Sequence, residues 1–566
     1  MVSREATAAI EAALDNWCHG RWRRLTPEEM RPDPLPLFNF SWRIELLAGA
    51  VRPPEANHFL LVVDAAFPGS QPRIFAPGMG SDYRWPHVEQ HGLLCLRSTS
   101  VVAPIGDRVR LHLDDALELL NYSDDKCAAE FEREFGTYWL HQAIQPNGNS
   151  RVVSLVKPGG KPRQVTFYMD NKLSRLVVAD TKADAKAWLR SVGTPVGDHD
   201  LLPGLLVRLK RPWRPNEFPR TVGDAVRGLP EDAVQATLLP NRRSLFLFEA
   251  TTSTGPVFAA VLVSGAKSDK IKNGFRSWAQ VPIGHIKRAM AQQRVERIVV
   301  SRVDAPWIHG RGHSPEQADL SARKVAIVGC GAVGSEIAEL LAKAGVGELT
   351  LVDNDDLQTA NLGRHLLGIG YLGWNKAKGL ANELQRRLPH LKIGAIYRTR
   401  FERLTPAELD RLSGMDMIVT AGLDIEGEAA VNSWRQALER PPAYLSTWVE
   451  AYAIVGHAVL LYGKSDLMSG FEGERPAFRL TDWPASANEV IVEAGCGNVF
   501  QPHGAVDLQP TIAMAARLAL DALLGRAPAC SCCRRVWFGD RDAVVALGGI
   551  ARDGFTEVNA MRQIPW

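Results

Sequence analysis

The sequence contains no run of about 18 apolar residues, the length that a membrane-spanning helix requires. Its first residues, MVSREATAAIEAALDNW, carry acidic side chains where a secretory signal would be basic and then apolar. Cysteine is scarce, because eight residues of this type are spread irregularly over 566 and cannot build a disulfide framework. We therefore expect a soluble, cytoplasmic protein whose thiols stay reduced and are able to act as nucleophiles.

An excess of one charge is also lacking. The 66 lysines and arginines nearly balance the 63 aspartates and glutamates, which gives a net charge of +3. This balance predicts neither a broad nucleic-acid surface nor a membrane surface, and it favours a specific protein or small-molecule partner.

The pattern of apolar residues changes along the chain and predicts three domains, residues 1–148, 149–295 and 296–566. The first combines a helix, the strand-like segments SWRIELLAG and HFLLVVDAAF, and closing helices, so we expect an α+β domain. The second offers short strands between turns and no catalytic constellation, and is predicted to be a mixed α/β linker domain of unknown role. The third begins with VAIVG, GSEIAELLAKAG and ELTLVD, a βαβ pattern typical of a Rossmann-like, doubly wound sheet.

A glycine-rich turn in the third domain predicts a nucleotide site. Gly329, Gly331 and Gly334 follow a strand and open a helix, whose free amides are able to bind a phosphate. Asp353 ends the next strand about 20 residues on, where a carboxylate binds ribose hydroxyls. A nicotinamide-dependent dehydrogenase has the same fingerprint, so these residues alone leave both classes open.

A series of polar residues beyond the turn favours ATP over a dinucleotide. A triphosphate with magnesium needs cations on its oxygens and a carboxylate near the metal, whereas a dinucleotide needs no such set. The series consists of Asp355, Asn361, Arg364, Lys376 and Asp424.

Together with VDNDDLQTANLGRH and the Trp374-Asn375-Lys376-Ala377 segment, this series resembles the adenylating superfamily of ubiquitin-activating enzymes and sulfur-carrier adenylyltransferases over residues 324–524. The resemblance implies that Asp353 binds ribose, that Asn361, Arg364 and Lys376 hold phosphates, and that Asp424 holds Mg²⁺. His365 stands where the family has glutamine.

The same family implies two further features. Gly-Leu-Asp replaces the usual Thr-Asp-Asn around Asp424, which affects the expected metal site. Relatives form homodimers and supply an arginine from one subunit to the other, and Arg302 or Arg311 lies in the corresponding stretch.

Two cysteines are placed for thioester chemistry. Cys496 lies between Gly495 and Gly497, after the adenylating core, where activating enzymes have their nucleophile. Cys95 lies in WPHVEQHGLLCL, and residues 1 to about 145 resemble ubiquitin-conjugating enzymes in their Pro-rich approach, a triplet and a Gly-x-x-Cys-Leu motif. In the triplet Trp85 replaces His and His87 replaces Asn, so we expect the His87 imidazole either to support the oxyanion, to act as base, or only to pack the loop.

The cysteines near the end of the sequence give one further expectation. Cys530 and Cys533 form a single C-x-x-C pair, half of the four-cysteine zinc site of many adenylating relatives. The second pair is missing, so metal-free packing is favoured over structural zinc.

The order of the three domains resembles fused ligases that accompany cyclic-oligonucleotide synthases in bacterial antiphage operons. That resemblance implies adenylation of a C-terminal glycine, transfer from Cys496 to Cys95, and delivery to a lysine amine of an acceptor protein. Two alternatives remain: activation of a dedicated ubiquitin-like or sulfur-carrier protein, and a binding module that has lost catalysis.

Overall fold

The computed structural model describes most of the chain. The described residues are 3–30, 37–80, 83–143, 151–170, 176–238, 240–265, 271–272, 274–309, 316–484, 491–492, 499–500, 503–526 and 531–566. Cys496, Arg311 and Cys530 therefore lie outside them. The chain divides into two compact units, the first formed by Met1–Val152, Pro158–Leu176 and Leu202–Val300, the second by Val153–Lys157, Val177–Leu201 and Ser301–Trp566.

The strands and helices of the described residues alternate along much of the chain. The strands are β1 Trp22–Arg24, β2 Phe40–Glu45, β3 His58–Val63, β4 Arg73–Phe75, β5 Val152–Ser154, β6 Arg163–Met169, β7 Leu176–Ala179, β8 Leu202–Arg208, β9 Ser244–Thr252, β10 Gly255–Val263, β11 Glu296–Ile298, β12 Val300–Arg302, β13 Lys324–Val328, β14 Glu348–Val352, β15 Lys392–Tyr397, β16 Met417–Ala421, β17 Ala443–Val449, β18 Val455–Leu461, β19 Phe471–Glu472, β20 Arg475–Pro476, β21 Thr481–Asp482, β22 Ile491–Val492, β23 Val499–Phe500, β24 Cys533–Phe538, β25 Ile550–Ala551 and β26 Ala560–Pro565. The helices are α1 Arg4–Cys18, α2 Ile105–Leu120, α3 Asp124–Arg133, α4 Phe135–Gln142, α5 Lys182–Ser191, α6 Val222–Ala225, α7 Glu231–Thr237, α8 Ile283–Met290, α9 Ala305–Ile308, α10 Glu316–Ala322, α11 Ala332–Ala344, α12 Lys376–Arg387, α13 Pro406–Ser413, α14 Ile425–Ala437, α15 Ala505–Leu523 and α16 Arg541–Ala546.

The first unit begins with an antiparallel meander of four strands in the order β1-β2-β3-β4. The alternation in β2 places Trp42 and Ile44 in the core, where they pack with Ile10 of α1 and Leu113 of α2. The predicted α+β character of this part of the chain is confirmed. Its likeness to ubiquitin-conjugating enzymes stays a prediction.

A second apolar core lies in the same unit, beside strands paired in the order β11-β10-β9-β8-β6. Helices α3 and α4 contribute Phe131, Phe135, Tyr138 and Trp139 to this second core. The sequence pattern assigned these helices to the first domain, but their aromatic residues pack with the strands that follow. The division into three domains itself stays a prediction.

The second unit is built on a sheet with the order β15-β14-β13-β16-β17-β18-β24-β26. The pairs from β15 to β17 are parallel, and the remaining pairs are antiparallel. Buried cores cover both faces of this sheet, so the predicted doubly wound architecture is confirmed. The chain leaves β13 toward β14 on one side and returns to β16 on the other, which creates a crevice at the carboxyl ends of these strands.

None of the helices within the described part of the chain combines the length and apolar character needed to span a bilayer.

A buried acid lies beneath the crevice. Glu428 of α14 accepts hydrogen bonds from the hydroxyls of Tyr444 and of Thr420, the latter at 2.9 Å. Burial raises the pKa of Glu428 from its ordinary value of 4.5 to about 7. Because the pKa is higher in the folded state, the contribution of the neutral carboxyl is fully present below pH 4.5 and is lost as the pH rises to about 7.

This acid gives a pH-dependent prediction. Glu428→Gln removes the titration but keeps a hydrogen-bond acceptor, so its free energy of unfolding should rise relative to that of the wild type between about pH 4.5 and about pH 7. Urea unfolding at several pH values measures the difference. Glu426→Gln, an exposed position on the same helix, should show no such trend, and a pH-independent difference for Glu428→Gln would contradict the account.

Candidate functional site

The glycine-rich turn between β13 and α11 is shaped by close backbone contacts. Gly329 has a φ of +87°, and a Cβ at this position would lie 2.6 Å from the carbonyl oxygen of Ala421. A Cβ on Gly334 would lie 1.9 Å from the carbonyl oxygen of Gly329. Both positions therefore require glycine, and Gly331 serves as the N-cap of α11. The turn leaves the amino end of the helix open to the crevice.

Asp353 holds this turn from the end of β14. Its carboxylate accepts the amide N–H of Cys330 at 2.6 Å and that of Asp355 at 2.7 Å. Burial raises the pKa of Asp353, and the two amide bonds oppose that shift. The residue predicted to bind ribose is thus fixed at the mouth of the turn.

Lys376 begins α12 at the same edge of the sheet. Its Nζ lies 2.9 Å from the Asp355 carboxylate, and its amide donates to the Asp355 carbonyl. Asn375 caps the helix and donates its side-chain amide to the carbonyl oxygens of Asp353 and Asp355, at 2.9 and 3.1 Å. The contacts of Asn375 therefore fix the start of α12, and with it the position of Lys376 beside the turn.

Asp424 caps α14 on the opposite wall. One carboxylate oxygen accepts the Gly427 amide at 2.8 Å, and the other accepts Arg400 Nη2 at 2.6 Å. Burial alone would raise the pKa of Asp424, but these two bonds together lower it. Arg400 also donates to Glu402 at 3.2 Å, and both carboxylates raise the pKa of its guanidinium.

These groups line one cleft of about 290 Å³ at the switch point of the sheet. Most of the predicted nucleotide residues form its walls, namely Gly329, Gly331, Asp353, Asp355, Lys376 and Asp424. Gly334, Asn361 and Arg364 are not among the lining residues. Their predicted contacts with a nucleotide stay predictions.

Three functional candidates were missed by sequence reasoning. Arg400 and Glu402 follow β15 and reach the cleft, although nothing in their local pattern distinguishes them from surface charges. His365, noted only as a departure from the family, is buried and bonds its Nε2 to the Cys330 carbonyl at 2.8 Å. Its Nδ1 accepts the Leu367 amide at 3.0 Å, which makes Nε2 the donor.

The buried position of His365 also determines the charge of its imidazole. Burial lowers the pKa of this imidazole, so the neutral form is favoured. Together with Asp353, which binds the Cys330 amide, it fixes both backbone groups of Cys330. Burial also raises the pKa of the Cys330 thiol, so this cysteine is a structural residue.

The arginines predicted to act across a dimer are placed differently. Arg302 is buried and forms a two-point ion pair with Asp304, at 2.8 and 2.7 Å, beside the ring of Trp307. It does not line the cleft. Arg311 lies outside the described residues. The role of either arginine stays a prediction.

Cys95 lies in the first unit and reaches solvent. Its amide donates to the carbonyl of His87 at 2.8 Å, so the predicted triplet and the cysteine are adjacent. Partial burial raises the pKa of the Cys95 thiol, and the charges of Glu89 and Glu134 raise it further. The imidazole of His87 faces Glu130 at 3.2 Å and Glu134 at 3.4 Å, and its predicted action on an oxyanion or amine stays untested.

The remaining predicted thiols are only partly described. Cys496 and Cys530 lie outside the described residues, so the predicted thioester carrier and the C-x-x-C pair are not placed. Cys533 is buried in β24, and Cys532 lies 3.2 Å from the Ser465 hydroxyl.

A model of the ThiF family matches residues 308–498. The chain is 25% identical to the ATP-dependent ubiquitin transferase-like protein Cap2 of Pseudomonas aeruginosa, over 78% of this chain and 80% of that protein. It is 39% identical to the mouse adenylyltransferase and sulfurtransferase MOCS3, over 18% of this chain and 22% of that one. A crystal structure of E. coli MccB with ATP matches at 17% identity and a TM-score of 0.30, over 44% of this chain and 65% of that chain. The resemblance stated from the sequence is confirmed by the ThiF match and by the similarity to Cap2.

The bond from His365 to the turn gives a prediction on nucleotide affinity. His365→Ala should weaken ATP binding by about 10-fold, because a buried hydrogen bond to the turn is lost. Titration calorimetry with ATP measures the change. His365→Gln keeps an N–H donor and should stay within about 3-fold of wild type. Equal affinity for all three proteins would exclude the support role.

Proposed function

We propose that this chain, which carries a ThiF family domain, is an ATP-dependent ubiquitin-like ligase. It adenylates the C-terminal glycine of a partner protein, carries the acyl group as a thioester on Cys496 and then Cys95, and delivers it to a lysine amine. The observation that carries the proposal is the cleft at the switch point, where Lys376, Arg400 and Asp424 meet beside the open amino end of α11. These cations and this helix end fit phosphates.

The reaction proceeds through acyl donors that are better electrophiles than a carboxylate, first an acyl-adenylate and then two thioesters. A carboxylate oxygen of the partner attacks the α-phosphorus of ATP, and pyrophosphate leaves. The Cys496 thiolate attacks the acyl-adenylate and AMP leaves; the Cys95 thiolate then displaces the Cys496 thiolate. A lysine amine attacks the Cys95 thioester, loses a proton, and forms an amide as the Cys95 thiolate leaves.

In the cleft, Lys376 is the phosphate ligand with the most defined position, since its helix start is fixed by Asn375. Asp353 is placed to accept ribose hydroxyls next to the turn that it holds. The exposed carboxylate of Asp424 fits a magnesium ligand, but Arg400 now occupies one of its oxygens. Magnesium, when bound, neutralises phosphate charge, and Arg400, still paired with Glu402, would then leave Asp424 and bind a phosphate oxygen.

The partners follow from the resemblance. We propose that the activated protein is a cyclic-oligonucleotide synthase of a bacterial antiphage system, that the acceptor is a lysine-bearing protein, and that the chain acts as a homodimer. The similarity to Cap2 over most of both chains supports this choice.

The second candidate is activation of a dedicated ubiquitin-like or sulfur-carrier protein in another pathway. The similarity to MOCS3, named an adenylyltransferase and sulfurtransferase, favours keeping this candidate. It requires the same cleft, and Cys95 is dispensable where the activated protein is a sulfur carrier.

The cysteines separate the two candidates. With ATP, Mg²⁺ and a partner ending in glycine, non-reducing electrophoresis should show a reductant-sensitive adduct that is lost entirely in Cys496→Ala. In Cys95→Ala, the Cys496 adduct should remain while transfer to lysine stops. Cys532→Ala serves as the control thiol. Unchanged product formation with Cys95→Ala would contradict the relay and support the sulfur-carrier candidate.

Lys376 gives a prediction specific to adenylation. Lys376→Ala should reduce partner-dependent release of pyrophosphate by about 100-fold, because a charge on the phosphates is lost in a preorganised site. Lys378→Ala, two residues along the same helix and exposed, should retain nearly full activity. Similar losses in both variants would remove the assigned role of Lys376.

A further inference from the structure

His87 uses its backbone to connect Cys95 with helix α4. Its carbonyl accepts the Cys95 amide, and its own amide donates to the hydroxyl oxygen of Tyr138 at 2.8 Å. The φ of His87 is +59°, in the left-handed region that side chains other than glycine rarely adopt. A strained position of this kind persists only when its surroundings hold it.

The imidazole of His87 is held as well. Nε2 lies 3.2 Å from Glu130 and Nδ1 lies 3.4 Å from Glu134, and the three side chains are only 13%, 20% and 27% exposed. Arg133 donates to the same two carboxylates, to Glu130 Oε2 at 2.8 Å and to Glu134 Oε1 at 3.1 Å. Arg133 therefore places a positive charge beside both carboxylates.

Tyr138, which accepts the His87 amide, belongs to helix α4, and the position of this helix is set by other contacts. Trp139 of α4 donates its indole N–H to the carbonyl of Ile298 at 2.9 Å. The ring of Phe135 packs edge-to-face against Phe218, with centroids 5.8 Å apart. The second core of the first unit therefore fixes α4, and α4 fixes His87.

We propose that Glu130, Glu134 and Tyr138 are positioning residues for Cys95. They form a clamp on His87, and through it residues 202–300, most of which belong to the predicted linker domain of unknown role, set the loop that carries the nucleophile. The proposal rests on the proposed function only for the transfer role of Cys95, since the clamp itself is defined by contacts.

The clamp has two physical effects on Cys95. It holds the loop through the His87 carbonyl, and it places the Glu134 charge where it disfavours the thiolate. Glu89 acts on the thiol in the same direction. Loosening the clamp should therefore free the loop and increase the reaction of Cys95 with a small electrophile, while its acceptance of an acyl group falls.

The test measures alkylation of Cys95 in the full-length chain without ATP or partner. Iodoacetamide is added between about pH 6 and about pH 10, and mass spectrometry follows the tryptic peptide of residues 85–97. Glu134→Gln, Glu130→Gln and Tyr138→Phe should each raise the rate near neutral pH by about 3-fold, and Glu134→Gln should also shift the pH profile downward.

Glu132→Gln is the matched control. Glu132 lies on α3, the helix that also carries Glu130, but it pairs with Arg211 and Arg214, at 3.4 and 3.2 Å. Its loss should leave the Cys95 rate unchanged. Glu130 acts on Cys95 through His87, so Glu130→Gln should have no further effect in a His87→Ala background. This coupling distinguishes positioning from general destabilisation.

Wild-type rates and pH profiles in Glu130→Gln, Glu134→Gln and Tyr138→Phe would overturn the proposal. So would a Cys95 rate that changes on adding EDTA, since the cluster of His87, Glu130 and Glu134 would then hold a metal ion. Absence of a Cys95 thioester with every partner would contradict the proposed function and leave the alkylation result standing.

Discussion

The cleft depends on the hydrogen bond between the carboxylate of Asp353 and the glycine-rich turn. The carboxylate binds the amide of Cys330 within the glycine-rich turn, while the imidazole of His365 binds the carbonyl of the same residue. The turn can follow this path only because Gly329 and Gly334 lack side chains. Neutral His365 and buried Asp353 thus keep the amino end of α11 open toward the crevice. The other residues of the cleft surround this open helix end.

Cys95 is likewise held in place by a hydrogen bond of its backbone. There the amide of the cysteine is bound by His87, which is itself held by Glu130, Glu134 and Tyr138. The two sites differ in their electrostatics. Lys376 and Arg400 line the cleft, whereas partial burial and the charges of Glu89 and Glu134 raise the pKa of the Cys95 thiol.

Much of the cleft could be predicted because its residues follow strands or open helices at the same edge of a parallel sheet. Asp353, Lys376 and Asp424 all carry this local signal, and the structure brings them to one cleft. Arg400 has no such signal, because its partner is 24 residues away and the contact arises only in the folded sheet. His365 replaces a family glutamine, and its bond to the turn depends on tertiary packing.

We expect the cleft to activate a carboxylate with ATP. Exchange of labelled pyrophosphate into ATP tests it directly, in the presence of a partner protein ending in glycine. We expect exchange that requires the terminal glycine and persists in Cys95→Ala and Cys496→Ala, because adenylation precedes both thioesters. Absence of exchange with glycine-ending partners, together with tight binding of a nicotinamide dinucleotide, would contradict it and restore the dehydrogenase interpretation of the glycine-rich turn.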